Sequence, residues 1–258
     1  MKKLSFLLLS LLAVTLFTAC NKDDNPNSRQ TFSSHVNIRT ISGDDVLFSQ
    51  ATAQIEVDYI NSTIMIQTGY KDMDGMGQNI ATSKMPMSIK YNAIYRFGPG
   101  ENGLQGYLDF TTGMLWFSFN HDPETKVYCT SNLLYAYTNT NMTNPENNNH
   151  GANQQSAYMF IPGANGETCE LRISNFMSTL NGVVDAPEVR YNGLTMTPTT
   201  TGYTITAANL ESSYKGFYTL TDVNFTLNDQ CQLINGSFKC NGINYEVTGD
   251  LFPAGYGY

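Results

Sequence analysis

Cysteine is the residue type in this chain whose spacing best supports covalent chemistry. Beyond Cys20, the sequence has four cysteines: Cys129, Cys169, Cys231 and Cys240. The last two enclose Asn235-Gly236, and Asn-Gly is the strongest two-residue β-hairpin signal because both turn positions tolerate a positive φ. With that turn, Cys231 faces Cys240 on a non-hydrogen-bonded rung, where a Cα separation of about 4.5 Å suits a disulfide. The sequence therefore predicts a Cys231–Cys240 disulfide, with two reduced thiols or a slipped register as alternatives. Cys129 and Cys169 are left free or paired with each other.

Metal chemistry has little support in the residue pattern. There is no C-x-x-C motif, and the histidines are scattered without ligand spacing: His35, His121 and His150. Asp72 and Asp74 precede Gly75 as in a calcium loop, but Ala81 stands where an EF-hand needs its glutamate. We expect an ordinary Asp/Gly turn there, with a cation site as the minor alternative. The sequence thus predicts no metal site and no cofactor.

Catalytic motifs are also missing from the sequence. It has no G-x-S-x-G element and no glycine-rich phosphate loop. Glycosidases need two carboxylates that face each other across a sugar, and nothing in the spacing of the 22 acidic residues pairs any two of them. The sequence therefore predicts a protein without catalytic activity. A hydrolase with an unrecognised site remains an alternative.

Aromatic side chains are the remaining candidates for ligand binding. In the alternating run from Leu115 to Phe119, one face is apolar, and Trp116, the only tryptophan, lies on the other. Trp116 and Tyr107 could form a platform on which sugars stack, together with three further tyrosines: Tyr128, Tyr135 and Tyr137. Packing of Trp116 in a core or against a neighbouring domain is the competing interpretation.

The N-terminus has the pattern of an export signal. Lys2 and Lys3 precede an apolar run at residues 4–17, which is shorter than the roughly 20 residues that a spanning helix needs. The order Thr18-Ala19-Cys20 at the end of this run resembles the lipobox of bacterial lipoproteins, with Phe17 in place of the usual leucine. The resemblance implies that residues 1–19 are a signal peptide. It also implies that Cys20 carries fatty acid such as palmitate, which anchors the mature chain to a membrane without crossing it.

Residues 20–31 are polar and are predicted to form a flexible tether. Within them, Lys22-Asp23-Asp24 resembles the signal by which Bacteroidetes send lipoproteins to the outer face of the outer membrane. The resemblance implies a lipid-anchored outer-membrane protein that faces the cell exterior.

Charge and composition exclude some partners and favour one fold class. The formal charge of −8 becomes −10 once Lys2 and Lys3 leave with the signal peptide. With no clustered Lys/Arg stripe, nucleic acid is not expected as a partner. The chain is rich in Tyr, Phe, Gly, Thr and Asn, and short alternating runs are separated by Asn-Gly turn signals. We therefore predict an all-β protein with two tandem antiparallel β-barrel or β-sandwich domains.

A polar stretch and a loose repeat suggest the division into domains. Residues 139–156 hold almost no apolar side chain and are predicted to be a linker or loop. They separate a first β-domain at residues 32–138 from a second at residues 157–258. Three segments of the first half match three of the second: 53–70 with 157–176, 87–92 with 187–192, and 108–119 with 223–238. The repeat, if real, predicts two similar domains.

The second half, from Cys169 to Leu251, resembles the calycin-like β-barrel domains of Bacteroidetes lipoproteins in its strand rhythm and turn placement. That family implies a fold rather than an activity. The G-x-W sequence that opens a true lipocalin is absent, so a ligand-holding calyx is not expected. We predict a binding or structural module at the cell surface, with a glycan or a protein as its partner. A glycan-binding accessory lipoprotein of a nutrient-uptake system is the first alternative.

Overall fold

A computed structural model describes residues 29–90, 94–109, 113–131, 134–230 and 233–250, and most of them lie in antiparallel strands. The chain divides into two compact units, Met1–Asn132 and Leu133–Tyr258. The strands of the first unit are β1 (Arg29–Ser42), β2 (Asp45–Asp58), β3 (Thr63–Lys71), β4 (Gly77–Ala81), β5 (Met85–Lys90), β6 (Ile94–Phe97), β7 (Gln105–Asp109), β8 (Met114–Asn120) and β9 (Thr125–Ser131). Those of the second are β10 (Leu134–Asn144), β11 (Asn149–Asn153), β12 (Ala157–Pro162), β13 (Thr168–Phe176), β14 (Ala186–Thr199), β15 (Gly202–Leu210), β16 (Leu220–Asn228), β17 (Leu233–Cys240) and β18 (Ile243–Asp250).

Helix is nearly absent from the part of the chain that the structure describes. The one helical element there is a 3₁₀ turn at Glu101–Gly103. No helix of these residues has the length and apolar character that crossing a membrane requires. The prediction of an all-β fold is confirmed.

In the first unit, the strands follow one another around a closed antiparallel ring, and β9 returns to pair with β1. Strands β4 and β5 share one place in that ring because both pair with β3, at different heights. The ring therefore has eight positions and forms what we call the first barrel. Alternate residues of its strands point inward, as the period-2 pattern requires. They form a buried core that includes Ile38, Ile55, Leu115, Phe117 and Phe119.

The second unit repeats this plan as the second barrel. Its strands again follow one another, and β18 returns to pair with β10. Here β11 and β12 share one position, since both pair with β10. Two tandem antiparallel β-barrels are thus the architecture of the chain, as the sequence predicted.

The predicted linker at residues 139–156 is wrong. Within this stretch, β10 and β11 form a hairpin of the second barrel, with Thr140 opposite Asn153 and Asn144 opposite Asn149. Backbone hydrogen bonds hold such a hairpin whatever its side chains are, and Met142 supplies an inward apolar contact at 1% exposure. The boundary between the two units lies instead between Asn132 and Leu133 in the chain, so β10 belongs to the second barrel rather than the first.

The segments of the loose repeat occupy equivalent places in the two rings. Segments 53–70 and 157–176 form the second and third positions, and residues 87–90 and 187–192 lie in the fourth. Segments 108–119 and 223–238 form the sixth and seventh. The matches therefore follow strand order rather than composition alone.

Candidate functional site

Trp116 and Tyr107 do not form an exposed sugar platform. They lie opposite each other on β8 and β7, and their rings stack at 5.8 Å between centroids with an interplanar angle of 18°. Trp116 does point away from the core of the first barrel, as the alternation predicted, but its exposure is only 7%, and that of Tyr107 is 6%. The burial of both rings favours the interpretation in which Trp116 packs against other side chains over a binding platform.

The same outer face carries buried polar groups on neighbouring strands. Asn37 and Arg39 of β1 are fully buried, and the guanidinium of Arg39 lies 5.0 Å from the ring centroid of Tyr128 on β9. The amide nitrogen of Asn37 donates to the carbonyl of Ser131. Side chains packed in this way serve the structure and do not offer a surface to a ligand.

The hairpin predicted at Asn235-Gly236 is wrong. Both residues lie inside β17, where Asn235 pairs with Thr226, and Gly236 lies between Phe225 and Val247. A side chain at Gly236 would clash with the Phe225 ring, so close packing, not a turn, explains this glycine. The Asn-Gly signal does mark a turn at Asn241-Gly242, where both φ angles are positive.

The expected pairing of Cys231 with Cys240 loses its geometric basis with that turn. Cys231 lies outside the described residues, and Cys240 is a free, buried cysteine. Cys129 and Cys169 are also free and buried, so they are not paired with each other. Burial raises the pKa of the Cys169 and Cys240 thiols to about 12, which leaves them protonated and unreactive. Cys20, the predicted lipidation site, also lies outside the described residues.

Asp72 is engaged by the protein itself. One carboxylate oxygen accepts from the backbone nitrogen of Met76, and the other accepts from the side chain of Gln78 at 2.7 Å. These bonds hold the pKa of Asp72 below its usual value. No cluster of three or more potential ligands occurs among the described residues. The Asp72–Asp74 segment is therefore a turn.

The interior of the second barrel is filled with aromatic side chains. Fully buried rings from five strands meet there: Tyr158, Phe160, Tyr191, Phe225, Phe238 and Tyr245. Phe238 and Tyr245 stack at 4.6 Å, and the Tyr245 hydroxyl donates to the Met177 carbonyl. Such packing makes the interior of the second barrel an aromatic core.

Exposed apolar side chains collect instead on two loops at one end of the second barrel. Residues 177–185 connect β13 with β14, and residues 211–219 connect β15 with β16; alternate loops of an antiparallel ring lie at the same end. We define the rim patch as the large apolar side chains of these loops that are most exposed: Val183 (62%), Val184 (40%), Tyr214 (43%) and Phe217 (68%). Exposed apolar side chains on loops at one end of a domain can mark an interaction surface.

The loop that carries Tyr214 and Phe217 is held by a serine hydroxyl. Ser212 Oγ lies 2.9 and 2.7 Å from the carbonyl oxygens of Tyr214 and Phe217, which share its single proton, and it accepts from the nitrogen of Tyr214. The next residue, Ser213, exchanges hydrogen bonds with the backbone of Arg190 on β14. The loop is therefore built onto the barrel rather than free in solvent.

Tyr218 closes the end of the barrel beneath the rim patch. Its φ of +56° is rare for a bulky residue and is stabilised by its surroundings. Its carbonyl accepts from the Tyr191 hydroxyl at 2.9 Å, and its ring meets Phe176 edge-on at 5.7 Å. Partial burial, with the nearby Asp185 carboxylate, raises the pKa of Tyr218. This arrangement turns Tyr218 inward and leaves Phe217 outward.

The sequence contained a signal for this site that the strand pattern obscured. From Ser212 to Tyr218, three aromatic residues surround Lys215-Gly216, a turn signal. Aromatic side chains at a turn, where alternation stops, have no sheet face on which to be buried. That conflict indicates exposed rings.

Comparisons with known proteins add little to this description. No family model matches the chain, and no curated protein matches it. The crystal structure of the isotype 1 transferrin binding protein B from serogroup B Neisseria meningitidis is similar, with a TM-score of 0.27 and 6% identity. The likeness covers 87% of this chain and 77% of that one. At this score it supports no inference about function.

Proposed function

We propose that this protein is a lipid-anchored, surface-displayed binding or structural module without catalytic activity, and that it makes contact through the rim patch. The observation that carries the proposal is the exposure of four large apolar side chains on loops that are fixed to a solid barrel. Membership of a calycin-like family of Bacteroidetes lipoproteins belongs to the same proposal.

The interiors of the barrels argue against a calyx, because buried side chains fill them. The acidic groups of the second barrel argue against a hydrolase, because several are tied to neighbouring cations. Glu170 binds Arg172, Glu188 binds Arg190 and Asp222 binds Lys239, at 2.6 to 2.7 Å. A carboxylate held by a cation on an outer surface is not poised to protonate a glycosidic bond.

The rim patch also differs from a sugar platform. Two of the four side chains are valines, which cannot stack on a sugar ring. A glycan-binding accessory lipoprotein is therefore the weaker proposal.

Lipidation of Cys20 is tested by growing the producing cells with a labelled fatty acid. We expect the native chain to take up label and to partition into detergent, and Cys20→Ala to do neither. A native chain without label would contradict the anchor.

Surface display is tested at Lys22-Asp23-Asp24. We expect protease added to whole cells to degrade the native chain. A variant with alanine at all three positions should be lipidated but protected. Equal degradation of both chains would show that these residues do not direct export to the surface.

A further inference from the structure

We propose that Asn181 is a site of spontaneous covalent modification, in which attack by the Gly182 nitrogen on the Asn181 side chain yields a mixture of aspartate and isoaspartate. The inference goes beyond the proposed function, because the reaction does not depend on what the rim patch contacts. The residue that follows Gly182 is Val183, a member of that patch.

The reaction needs no reagent other than water. The backbone nitrogen of Gly182 forms a bond to Asn181 Cγ, the bond from Cγ to Nδ2 breaks, and the proton of the attacking nitrogen leaves with Nδ2 as ammonia. Water then opens the cyclic imide. Breaking the bond from nitrogen to Cγ leaves aspartate, and breaking the bond from nitrogen to the main-chain carbonyl carbon leaves isoaspartate. Glycine favours the first step because it has no side chain to obstruct the approach.

The sequence offers this chemistry at six Asn-Gly pairs, so the fold must select among them. The following residue is glycine in every case, and the pairs differ in whether the main chain can rotate to close the imide ring. The pairs begin at Asn102, Asn165, Asn181, Asn192, Asn235 and Asn241.

Asn181-Gly182 is exposed and little restrained. Among the residues that the structure describes, neither the Asn181 side chain nor the Gly182 nitrogen has a hydrogen-bond partner, and the Asn181 nitrogen makes only a long contact of 3.4 Å with Thr179 Oγ1. Gly182 has a φ of +71°, and no atom lies within 4 Å of the point where a side chain would begin. The attacking nitrogen and its target are therefore both available.

The loop is fixed on either side of this pair, which leaves a short span free to rotate. Leu180 lies over Gly151 of β11, with a side-chain carbon 3.2 Å from the point where a Gly151 side chain would begin. At the other end, the Asp185 carboxylate accepts from both the nitrogen and the hydroxyl of Ser178. Residues 181–184 make no backbone–backbone hydrogen bond within the described part of the chain. Rotation about the Asn181-Gly182 bond therefore breaks little structure.

Two of the other pairs are held by hydrogen bonds. The Asn165 side chain accepts from the Glu167 nitrogen at 3.0 Å and donates to the Glu167 carboxylate at 2.7 Å, and the Gly166 nitrogen donates to the Gly163 carbonyl. Asn235-Gly236 lies inside β17 with a paired strand on each side. Ring closure at either pair requires these bonds to break first.

The remaining three pairs are exposed but pinned. Asn241-Gly242 is a two-residue turn closed by the Cys240–Ile243 pair. Asn192-Gly193 is a bulge between paired residues of β14, and Asn102-Gly103 lies in a 3₁₀ turn that a backbone hydrogen bond closes. Gly242 has the same open surroundings as Gly182, so Asn241 separates the effect of rotation from that of exposure.

Modification changes the charge of the surface that we propose makes contact. The charged side chains of loops 177–185 and 211–219 are Asp185, Glu211 and Lys215, which sum to −1, and the new carboxylate makes this −2. Isoaspartate also adds a carbon to the main chain before Val183. A charge beside apolar side chains raises the cost of removing water from them, so modification should weaken an apolar contact. This consequence, unlike the reaction, rests on the proposed function.

Peptide mapping of the folded full chain, after incubation in warm and mildly alkaline buffer, tests the inference. Trypsin places the six pairs on six different peptides, and Asn181 lies on residues 173–190. We expect this peptide to gain the mass of the amide-to-carboxyl change and to separate into an aspartate and an isoaspartate form while the other five pairs stay intact. In denaturant all six pairs should react at comparable rates, because the fold no longer selects.

Two variants assign the change to one residue. Asn181→Gln should abolish it, because glutamine must close a larger ring, and this result also excludes Asn175 on the same peptide. Asn241→Gln is the matched control and should leave peptide 173–190 reacting as before. The inference is overturned if another pair reacts before Asn181, if folded and unfolded chains give the same pattern, or if only aspartate forms. The mapping reads the reaction itself, so its outcome is separate from any failure of the proposed contact surface.

Discussion

Two aromatic pairs with similar side chains have opposite surroundings in the two barrels. Tyr107 and Trp116 of the first barrel lie on strands, point away from its core and are nevertheless at most 7% exposed. Tyr214 and Phe217 of the second barrel lie on a loop and are 43% and 68% exposed. The difference teaches that an outward direction on a strand does not mean exposure, whereas an aromatic side chain at a loop tip has no sheet face to cover it.

Truncating one member of each pair should reveal the largest difference in stability between them. Trp116→Ala removes a buried stacked ring, and we expect the free energy of unfolding to fall by about 3 to 5 kcal/mol. Phe217→Ala removes an exposed ring, and the change should stay within about 0.5 kcal/mol. Urea unfolding followed by far-UV circular dichroism is the suitable measurement, because Trp116 is the only tryptophan. Equal losses would contradict the assigned burial.

Two glycines of the second barrel allow a second comparison, between a packed position at Gly236 and an open turn at Gly242. A methyl group there would meet the Phe225 ring, so Gly236→Ala should cost about 1 to 3 kcal/mol through overpacking. Gly242→Ala, at a turn with open space around it, should cost only about 1 to 2 kcal/mol through its φ of +75°. If Gly236→Ala were neutral, Asn235-Gly236 would not lie within a packed strand.

The ordering of the exposed pair depends on Ser212. Ser212→Ala removes the hydroxyl that bonds the backbone of Tyr214 and Phe217, so stability should fall by about 1 kcal/mol. Amide hydrogen exchange at residues 213–218 should become faster while exchange in β16 stays slow. Unchanged exchange in the loop would show that other contacts hold the rim patch in place.

The smallest predicted effect is a loss of stability of the first barrel at acid pH. Hydrogen bonds from the Asn61 side chain and backbone, with the nearby Arg29, lower the pKa of Asp58 from 3.8 to about 2. A lowered folded-state pKa stabilises the protein above the unfolded value, and this stabilisation is lost as pH falls from about 4 through about 2. Asp58→Asn should flatten the stability profile of the first barrel in that range. An unchanged profile would contradict the assignment.

Much of the fold could be predicted from the sequence, because period-2 alternation reports burial on one side of a sheet directly. Leu115, Phe117 and Phe119 do face the core of the first barrel. What alternation does not report is whether the other side is covered, and so it left packing and ligand contact as alternatives for Trp116. The Asn-Gly signal likewise depends on context: the Phe225 ring on the neighbouring strand requires Gly236, and a turn requires Gly242. The hairpin of β10 and β11 escaped prediction because backbone pairing needs no apolar side chains.

The site was harder to predict than the fold. Phe217 and Val183 lie far apart in the sequence, and they belong to one surface only because alternate loops of the ring share an end. The aromatic run around Lys215-Gly216 was visible, but the left-handed conformation of Tyr218, which separates an inward ring from an outward one, was not.

Photo-crosslinking on intact cells tests the central claim most directly. A benzophenone amino acid replaces Phe217 in one chain and Ile60 in another, two positions that are equally exposed. If the rim patch is the contact surface, irradiation should attach a partner molecule at position 217 and leave position 60 unlabelled. Equal labelling at the two positions, or none at position 217, would contradict the account.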